Sequence, residues 1–144
     1  KHFLPAVGDN VRRRGRDVAS PANHALNYGY AVLATLCHRS ILIHGLNPLF
    51  GMHHRRRYKA HAFVYDVMEP LRPFVDRMLL SFSKEAEAWD MKAWAKHVAQ
   101  HLRETRVQHS RYPLKLMDAL DQYVASIAEC YAKQSIKPIW VPTL

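Results

Sequence analysis

Charged and histidine side chains that could bind a metal or act in catalysis are concentrated between Gly51 and Asp76, in the stretch GMHHRRRYKAHAFVYDVMEPLRPFVD. Its later acidic and basic side chains recur at steps of three and four residues, which places them on one face of a helix: Asp66, Glu69, Arg72 and Asp76. Apolar side chains recur at the same steps on another face: Val64, Val67, Met68, Leu71, Val75 and Met78. The spacing therefore predicts an amphipathic helix over residues 62–80.

Two prolines interrupt this predicted helix. Pro70 lacks the N–H that would bond to the carbonyl of Asp66, and Pro73 frees the carbonyl of Glu69 in the same way. A kink, or a break and restart, is expected at this point. An imidazole from the preceding loop could approach the two carboxylates there, and a neutral imidazole nitrogen with carboxylate oxygens suits a divalent metal.

The alternative for the charged face is an ordinary solvated surface, because exposed acidic and basic residues on helices are common and contribute little. Adjacent histidines such as His53 and His54 are also frequent in loops that bind nothing. Spacing by itself leaves both interpretations open.

Several short motifs occur in a fixed order along the chain: Asn23 with LNYGY at 26–30, GLNP at 45–48, GMHH at 51–54 and FVYDVMEPLRPFVD at 63–76. In order and spacing they resemble the CRISPR-associated integrase of spacer acquisition, the first of the two adaptation proteins of that system. The resemblance covers most of the chain, from about Asp17 onward. It implies that residues 1–144 correspond to the helical, C-terminal catalytic lobe of that family.

The resemblance also implies a metal site made of a glutamate, a histidine and a second acidic residue. His54 ends the matching G-x-x-H element, Glu69 is the acid of MEP, and Asp66 takes a supporting catalytic role. The first glutamate is expected in a helix upstream of residues 1–5, and no acidic residue precedes Asp9. The chain is therefore expected to lack that ligand and the family's N-terminal β-domain, which leaves open whether it is active alone.

The function implied by the resemblance is that of a metal-dependent DNA endonuclease or integrase. It would insert new spacers into a CRISPR array by attack of a DNA 3′-hydroxyl on a phosphodiester, with Mn²⁺ or Mg²⁺ bound. The implied partners are double-stranded DNA, as spacer precursor and as CRISPR repeat, a second, small adaptation protein, and a second copy of the intact protein in a homodimer. The implied location is the prokaryotic cytoplasm.

Two basic clusters lie outside the charged helix face. The first contains Arg12, Arg13, Arg14 and Arg16, and the second contains Arg55, Arg56, Arg57, Tyr58 and Lys59. Their cations suit backbone phosphates, and Tyr58 is able to stack on a base. The formal net charge of +9 agrees with a polyanionic partner.

A charge run can equally be a solvated loop. A non-catalytic, basic DNA-binding module is therefore the alternative function. A helical phosphohydrolase acting on nucleotides ranks last, because it would need a second histidine cluster with an adjacent aspartate.

The predicted fold is all-α, with four to six helices in one domain around a buried central helix over residues 21–44. Ser20 and Pro21 are typical of a helix start, and Gly45 of a helix end. An apolar fraction of 49% over 144 residues is sufficient for a core. No apolar run approaches the roughly 20 residues that a membrane span needs.

The remaining elements are assigned from periodicity. Ser83 is expected to cap a helix whose apolar stripe is formed by Met91, Trp94, Ala95, Val98 and Leu102. Residues 105–115 are expected to form a loop with at most short strands. A last helix carries Met117, Leu120, Val124, Ile127 and Tyr131. Tyr28 and Tyr30 are predicted to be core residues whose hydroxyls bond polar partners, and Cys37 and Cys130 to be buried, reduced thiols.

Overall fold

A computed structural model describes residues 21–51, 61–85, 90–109, 112–134, 139 and 141–142. The helices, strands and one 3₁₀ turn of these residues follow one another in this order: α1 (Pro21–Ile43), α2 (Ala62–Met68), the 3₁₀ turn (Glu69–Leu71), α3 (Arg72–Glu85), α4 (Met91–Glu104), β1 (Arg106–His109), β2 (Tyr112–Lys115) and α5 (Leu116–Lys133). The mostly helical fold class is confirmed. The two strands form an antiparallel hairpin that pairs Arg106 with Lys115 and His109 with Tyr112.

Helix α1 is the central element, as predicted, because α2, α3, α4 and α5 all pack against it. It ends one residue before the predicted limit, and Gly45 follows with a positive φ of 71°. Gly29 allows a close approach to α3, since a β-carbon built there would lie 2.6 Å from Val75 Cγ1. Trp94 of α4 also lies next to Gly29, and its Nε1 donates a hydrogen bond of 2.9 Å to the carbonyl of Ala25.

The predicted break at the prolines is confirmed. Helix α2 stops at Met68, the 3₁₀ turn covers Glu69–Leu71, and α3 restarts at Arg72. The backbone stays in the right-handed helical region at Glu69 and Arg72, so the chain changes its hydrogen-bonding pattern without reversing direction. The junction therefore presents Glu69 from a short turn that lies between two packed helices.

The predicted helix cap at Ser83 is wrong. Ser83 lies within α3 and its hydroxyl donates to the carbonyl of Leu80 over 3.0 Å. Asp90 caps α4 instead, because its carboxylate accepts hydrogen bonds of 3.0 and 3.1 Å from the N–H groups of Lys92 and Ala93.

Three predicted core positions are also wrong. Tyr28, Met91 and Tyr131 are 38%, 45% and 54% exposed. Met91 is the first residue of α4, and Tyr131 lies in the last turn of α5, where the neighbouring helices no longer cover them. Cys37 is buried and Cys130 is half-buried, and both are free thiols.

None of the helices in the described ranges is both long enough and apolar enough to cross a membrane. One apolar cluster extends through all five α-helices and includes Val107 of β1. The assignment of residues 1–144 to a single domain stays a prediction.

Candidate functional site

The four charged residues of the predicted helix face lie at the junction between α2 and α3. Asp66 belongs to α2, Glu69 to the 3₁₀ turn, and Arg72 and Asp76 to α3. The junction faces α1, because the hydroxyl of Tyr30 on α1 donates a hydrogen bond to Asp76 Oδ1. The proline break therefore places the charged groups beside the central helix.

Asp66 and Glu69 lie in opposite environments. Asp66 is only 8% exposed, whereas the Glu69 side chain is 56% exposed. Burial and the charges of Cys37 and Asp66 raise the pKa of the Tyr123 hydroxyl, so the Asp66 carboxylate lies close enough to α5 to affect it. The solvated-surface interpretation is therefore wrong for Asp66, which faces the interior.

Arg72 is the described partner of Glu69. Its Nε lies 2.8 Å from Glu69 Oε2, and the guanidinium carbon lies 5.1 Å from the centre of the Tyr30 ring. The Nε atom is buried and makes no hydrogen bond within the described ranges, so the two groups are close but the N–H is not aimed at the oxygen. The contact is an ion pair supported by a cation–π interaction, without the paired bonds of a bidentate carboxylate.

These contacts form one connected group, which we call the Tyr30 network: Tyr30, Glu69, Arg72 and Asp76. The Tyr30 hydroxyl is bonded to Asp76 and its ring supports Arg72, which in turn pairs with Glu69. Half-buried Tyr30 thus contacts the Asp76 carboxylate directly and is connected to the Glu69 carboxylate through the Arg72 guanidinium. The outermost of these groups is Glu69, whose carboxylate is open to solvent.

The family model described as "CRISPR associated protein Cas1" matches residues 1–109. The chain belongs to the Cas1 family. It is 42% identical to the CRISPR-associated endonuclease Cas1 2 of Pyrobaculum aerophilum over 76 residues, which cover 53% of this chain and 25% of that protein. It is 27% identical to the CRISPR-associated endonuclease Cas1 of Neisseria meningitidis over 147 residues, covering 99% of this chain and 46% of the relative.

A solved structure described as a casposase bound to integration product superposes with a TM-score of 0.77. It shares 20% sequence identity, and the superposition covers 92% of this chain and 46% of that one. This likeness shows a shared fold. The Cas1-family chain spans about half or less of the length of these relatives.

The site residues predicted for this Cas1-family chain are only partly within the described ranges. Glu69 and Asp66 are placed as above. His54 lies outside the described residues, and so do both basic clusters: Arg12, Arg13, Arg14, Arg16, Arg55, Arg56, Arg57, Tyr58 and Lys59. The pairing of His54 with Glu69 therefore stays a prediction.

The chemistry of the available donors fits Mg²⁺ or Mn²⁺. These hard ions prefer carboxylate oxygens, and Glu69 offers an exposed carboxylate that Arg72 contacts. Within the described ranges, no group of three or more histidine, cysteine or acidic side chains is arranged to hold a metal ion.

The sequence predicts no role for two members of the Tyr30 network, Arg72 and Asp76. Arg72 was visible as part of the charged face, three residues after Glu69, and that spacing is a signal for an ion pair. The bond between Tyr30 and Asp76 joins residues 46 positions apart, which no periodicity in the sequence indicates. The prediction that the Tyr30 hydroxyl bonds a polar partner is confirmed.

Proposed function

We propose that this chain is the C-terminal lobe of a metal-dependent DNA endonuclease or integrase that inserts spacers into a CRISPR array. The observation that carries the proposal is the exposed Glu69 carboxylate at the proline break, held beside the central helix of a Cas1-family fold. The names of its relatives as Cas1 endonucleases and of its structural neighbour as a casposase bound to integration product support this chemistry.

In this proposal His54 and Glu69 hold Mn²⁺ or Mg²⁺, and Asp66 orients a ligand or a water from its buried position. When bound, the metal lowers the pKa of the attacking hydroxyl and offsets negative charge on the phosphate. Glu69 supplies an anionic oxygen from a turn that both flanking helices hold in place. The basic residues of the two clusters bind the DNA backbone and orient the strand that carries the 3′-hydroxyl.

The proposed partners are double-stranded DNA, as spacer precursor and as repeat, and the second, small adaptation protein. A homodimer is proposed for the intact protein, in the prokaryotic cytoplasm. Because the relatives are at least about twice as long, the proposal also assigns the first glutamate ligand and a β-domain to sequence upstream of Lys1.

The test uses the chain extended at its N-terminus by an upstream helix that carries a glutamate. A labelled DNA duplex is incubated with this protein and Mn²⁺, and nicked and joined products are quantified. We expect Glu69→Gln to lower the rate by roughly 100-fold or more, because a metal ligand acts in the transition state. Glu104→Gln on α4, an exposed site away from the junction, is the matched control. An active Glu69→Gln protein would remove Glu69 from the site.

The second candidate is a non-catalytic DNA-binding module, which the net charge of +9 favours. Binding of a short duplex across a salt series, with and without Mn²⁺, separates the two candidates. A steep salt dependence that ignores both Mn²⁺ and the His54→Ala substitution would support the binding module. Binding that responds to Mn²⁺ only when His54 and Glu69 are intact would support the endonuclease or integrase.

A further inference from the structure

Arg72 lies beside the Glu69 carboxylate, where a metal ion bound to Glu69 would also lie. Its Nε is 2.8 Å from Oε2, so a unit positive charge already lies against the carboxylate. A divalent cation bound to the same oxygen would be repelled by this charge unless the guanidinium moved away. Any cation that binds Glu69 therefore competes with Arg72.

The contacts of Arg72 show why it stays in this position. The Tyr30 ring supports the guanidinium at 5.1 Å, and the Tyr30 hydroxyl is bonded to Asp76, one helical turn further along α3. The arginine is thus pre-positioned by its neighbours, independently of Glu69.

The same contacts also leave Arg72 displaceable. Its buried Nε–H is not satisfied by Glu69 or by any other group in the described ranges, and the ion pair lacks bidentate geometry. The Glu69 side chain is 56% exposed, so solvent weakens the attraction further. A divalent ion with twice the charge can therefore replace the guanidinium.

We propose that Arg72, oriented by Tyr30 and Asp76, is a positioning residue that occupies Glu69 until a divalent cation displaces it. Arg72 thereby sets the cation concentration at which Glu69 becomes a ligand, and it keeps the carboxylate paired at lower concentrations. This inference rests on the proposed function, because it takes Glu69 as a metal ligand.

The experiment measures Mn²⁺ binding to the 144-residue chain in the absence of DNA, from the loss of the free Mn²⁺ electron paramagnetic resonance signal. Arg72→Gln removes the competing charge, and we expect it to tighten Mn²⁺ binding by about tenfold. Arg77→Gln, the same substitution at an exposed position of α3, is the matched control and should change the affinity by less than about twofold. Unchanged or weaker Mn²⁺ binding by Arg72→Gln would overturn the proposal.

Two further variants separate positioning from a merely structural role. Arg72→Lys keeps the charge, so its Mn²⁺ affinity should stay near that of the wild type. Tyr30→Leu removes the ring under the guanidinium and should give an affinity between those of the wild type and Arg72→Gln. If Arg72→Gln does not fold, as judged by circular dichroism, these two variants still decide: Mn²⁺ binding by Tyr30→Leu that equals the wild type would overturn the inference.

Glu69→Gln distinguishes this inference from the proposed function. If Glu69→Gln abolishes Mn²⁺ binding while Arg72→Gln leaves it unchanged, the metal site stands and the role of Arg72 fails. If Glu69→Gln binds Mn²⁺ as tightly as the wild type, Glu69 is not a ligand and both proposals fail. Binding that appears only in Arg72→Gln would support the inference directly.

Discussion

Helix α1 is joined to α3 and to α5 by hydroxyl–carboxylate bonds, and the two bonds described here differ in what surrounds them. Ser40 Oγ donates to Asp121 on α5, and the Tyr30 hydroxyl donates to Asp76 on α3. Ser40 is 2% exposed, and its bond connects two helices within the bundle. The bond of Tyr30 continues through Arg72 to the exposed carboxylate of Glu69.

The difference shows that a partly buried polar pair between helices does not by itself indicate a functional site. Both bonds satisfy polar groups that packing removes from water, which is a structural requirement. The Tyr30 network differs because it ends in a solvent-exposed charge that an arginine contacts without a well-formed hydrogen bond. We therefore expect the Ser40–Asp121 pair to affect stability only, and the Tyr30 network to affect ligand binding as well.

The largest expected loss of stability comes from removing Trp94, which holds α4 against α1, the helix that carries both Tyr30 and Ser40. Trp94 is fully buried, and its indole N–H bonds the carbonyl of Ala25 on α1. Trp94→Ala should lower the free energy of unfolding by about 3–5 kcal/mol through the cavity and the lost bond, measured by urea denaturation.

The control for this prediction is Trp94→Phe, which keeps an aromatic ring and should cost about 1–3 kcal/mol, because it removes the hydrogen bond to the Ala25 carbonyl and part of the buried indole. A loss below about 1 kcal/mol for Trp94→Ala would show that α4 is not needed to hold α1, and large-to-small core substitutions of this kind rarely cost so little.

The next effect isolates the Ser40–Asp121 pair. Ser40→Ala should lower the free energy of unfolding by about 1 kcal/mol, because Asp121 is half-buried and can replace the lost donor with water. In a double-mutant cycle with Asp121→Asn, the two substitutions should be coupled, since the side chains are in direct contact.

Mn²⁺ affinity distinguishes the Ser40–Asp121 pair from the Tyr30–Asp76 pair. Ser40→Ala should leave it unchanged, whereas Tyr30→Leu should tighten it. A change of Mn²⁺ affinity in Ser40→Ala as large as that in Tyr30→Leu would contradict the distinction between the pairs.

Local rules predicted much of the framework. The break at Pro70 and the end of α1 before Gly45 depend on backbone properties of single residues, and both are confirmed. The predicted cap of α4 at Ser83 is wrong, because the sequence does not show that α3 continues to Glu85 and that α4 begins only after Asp90.

Long-range packing explains what periodicity missed at the site. A helical projection places Asp66 on the charged face, yet Asp66 is only 8% exposed and its charge affects Tyr123 of α5. The bond between Tyr30 and Asp76 likewise depends on how α1 and α3 cross. The ion pair of Glu69 with Arg72 could be predicted from the sequence, because the two residues are three positions apart.

The smallest expected effect concerns Cys37, which lies on α1 between Tyr30 and Ser40. Burial raises the pKa of this thiol from 9.0 to about 12. The folded protein keeps the proton while the unfolded chain ionises near pH 9, so this contribution to stability is complete below pH 9 and is lost as the pH rises toward 12. From pH 7 to pH 9 the loss should be about 0.4 kcal/mol, measured as the difference in unfolding free energy between the wild type and Cys37→Ala at each pH.

Thiol labelling tests the burial of Cys37 through reaction rates. At pH 8 an aromatic disulfide reagent should label the half-buried Cys130 before Cys37, because the thiolate is the reactive form and burial disfavours it at Cys37. Equal labelling rates for the two thiols would mean that the apolar stretch of α1 between the two pairs opens readily. In that case Tyr30 and Ser40 would not be held on one rigid helix, and the contrast between a structural pair and a ligand-binding network would lose its basis.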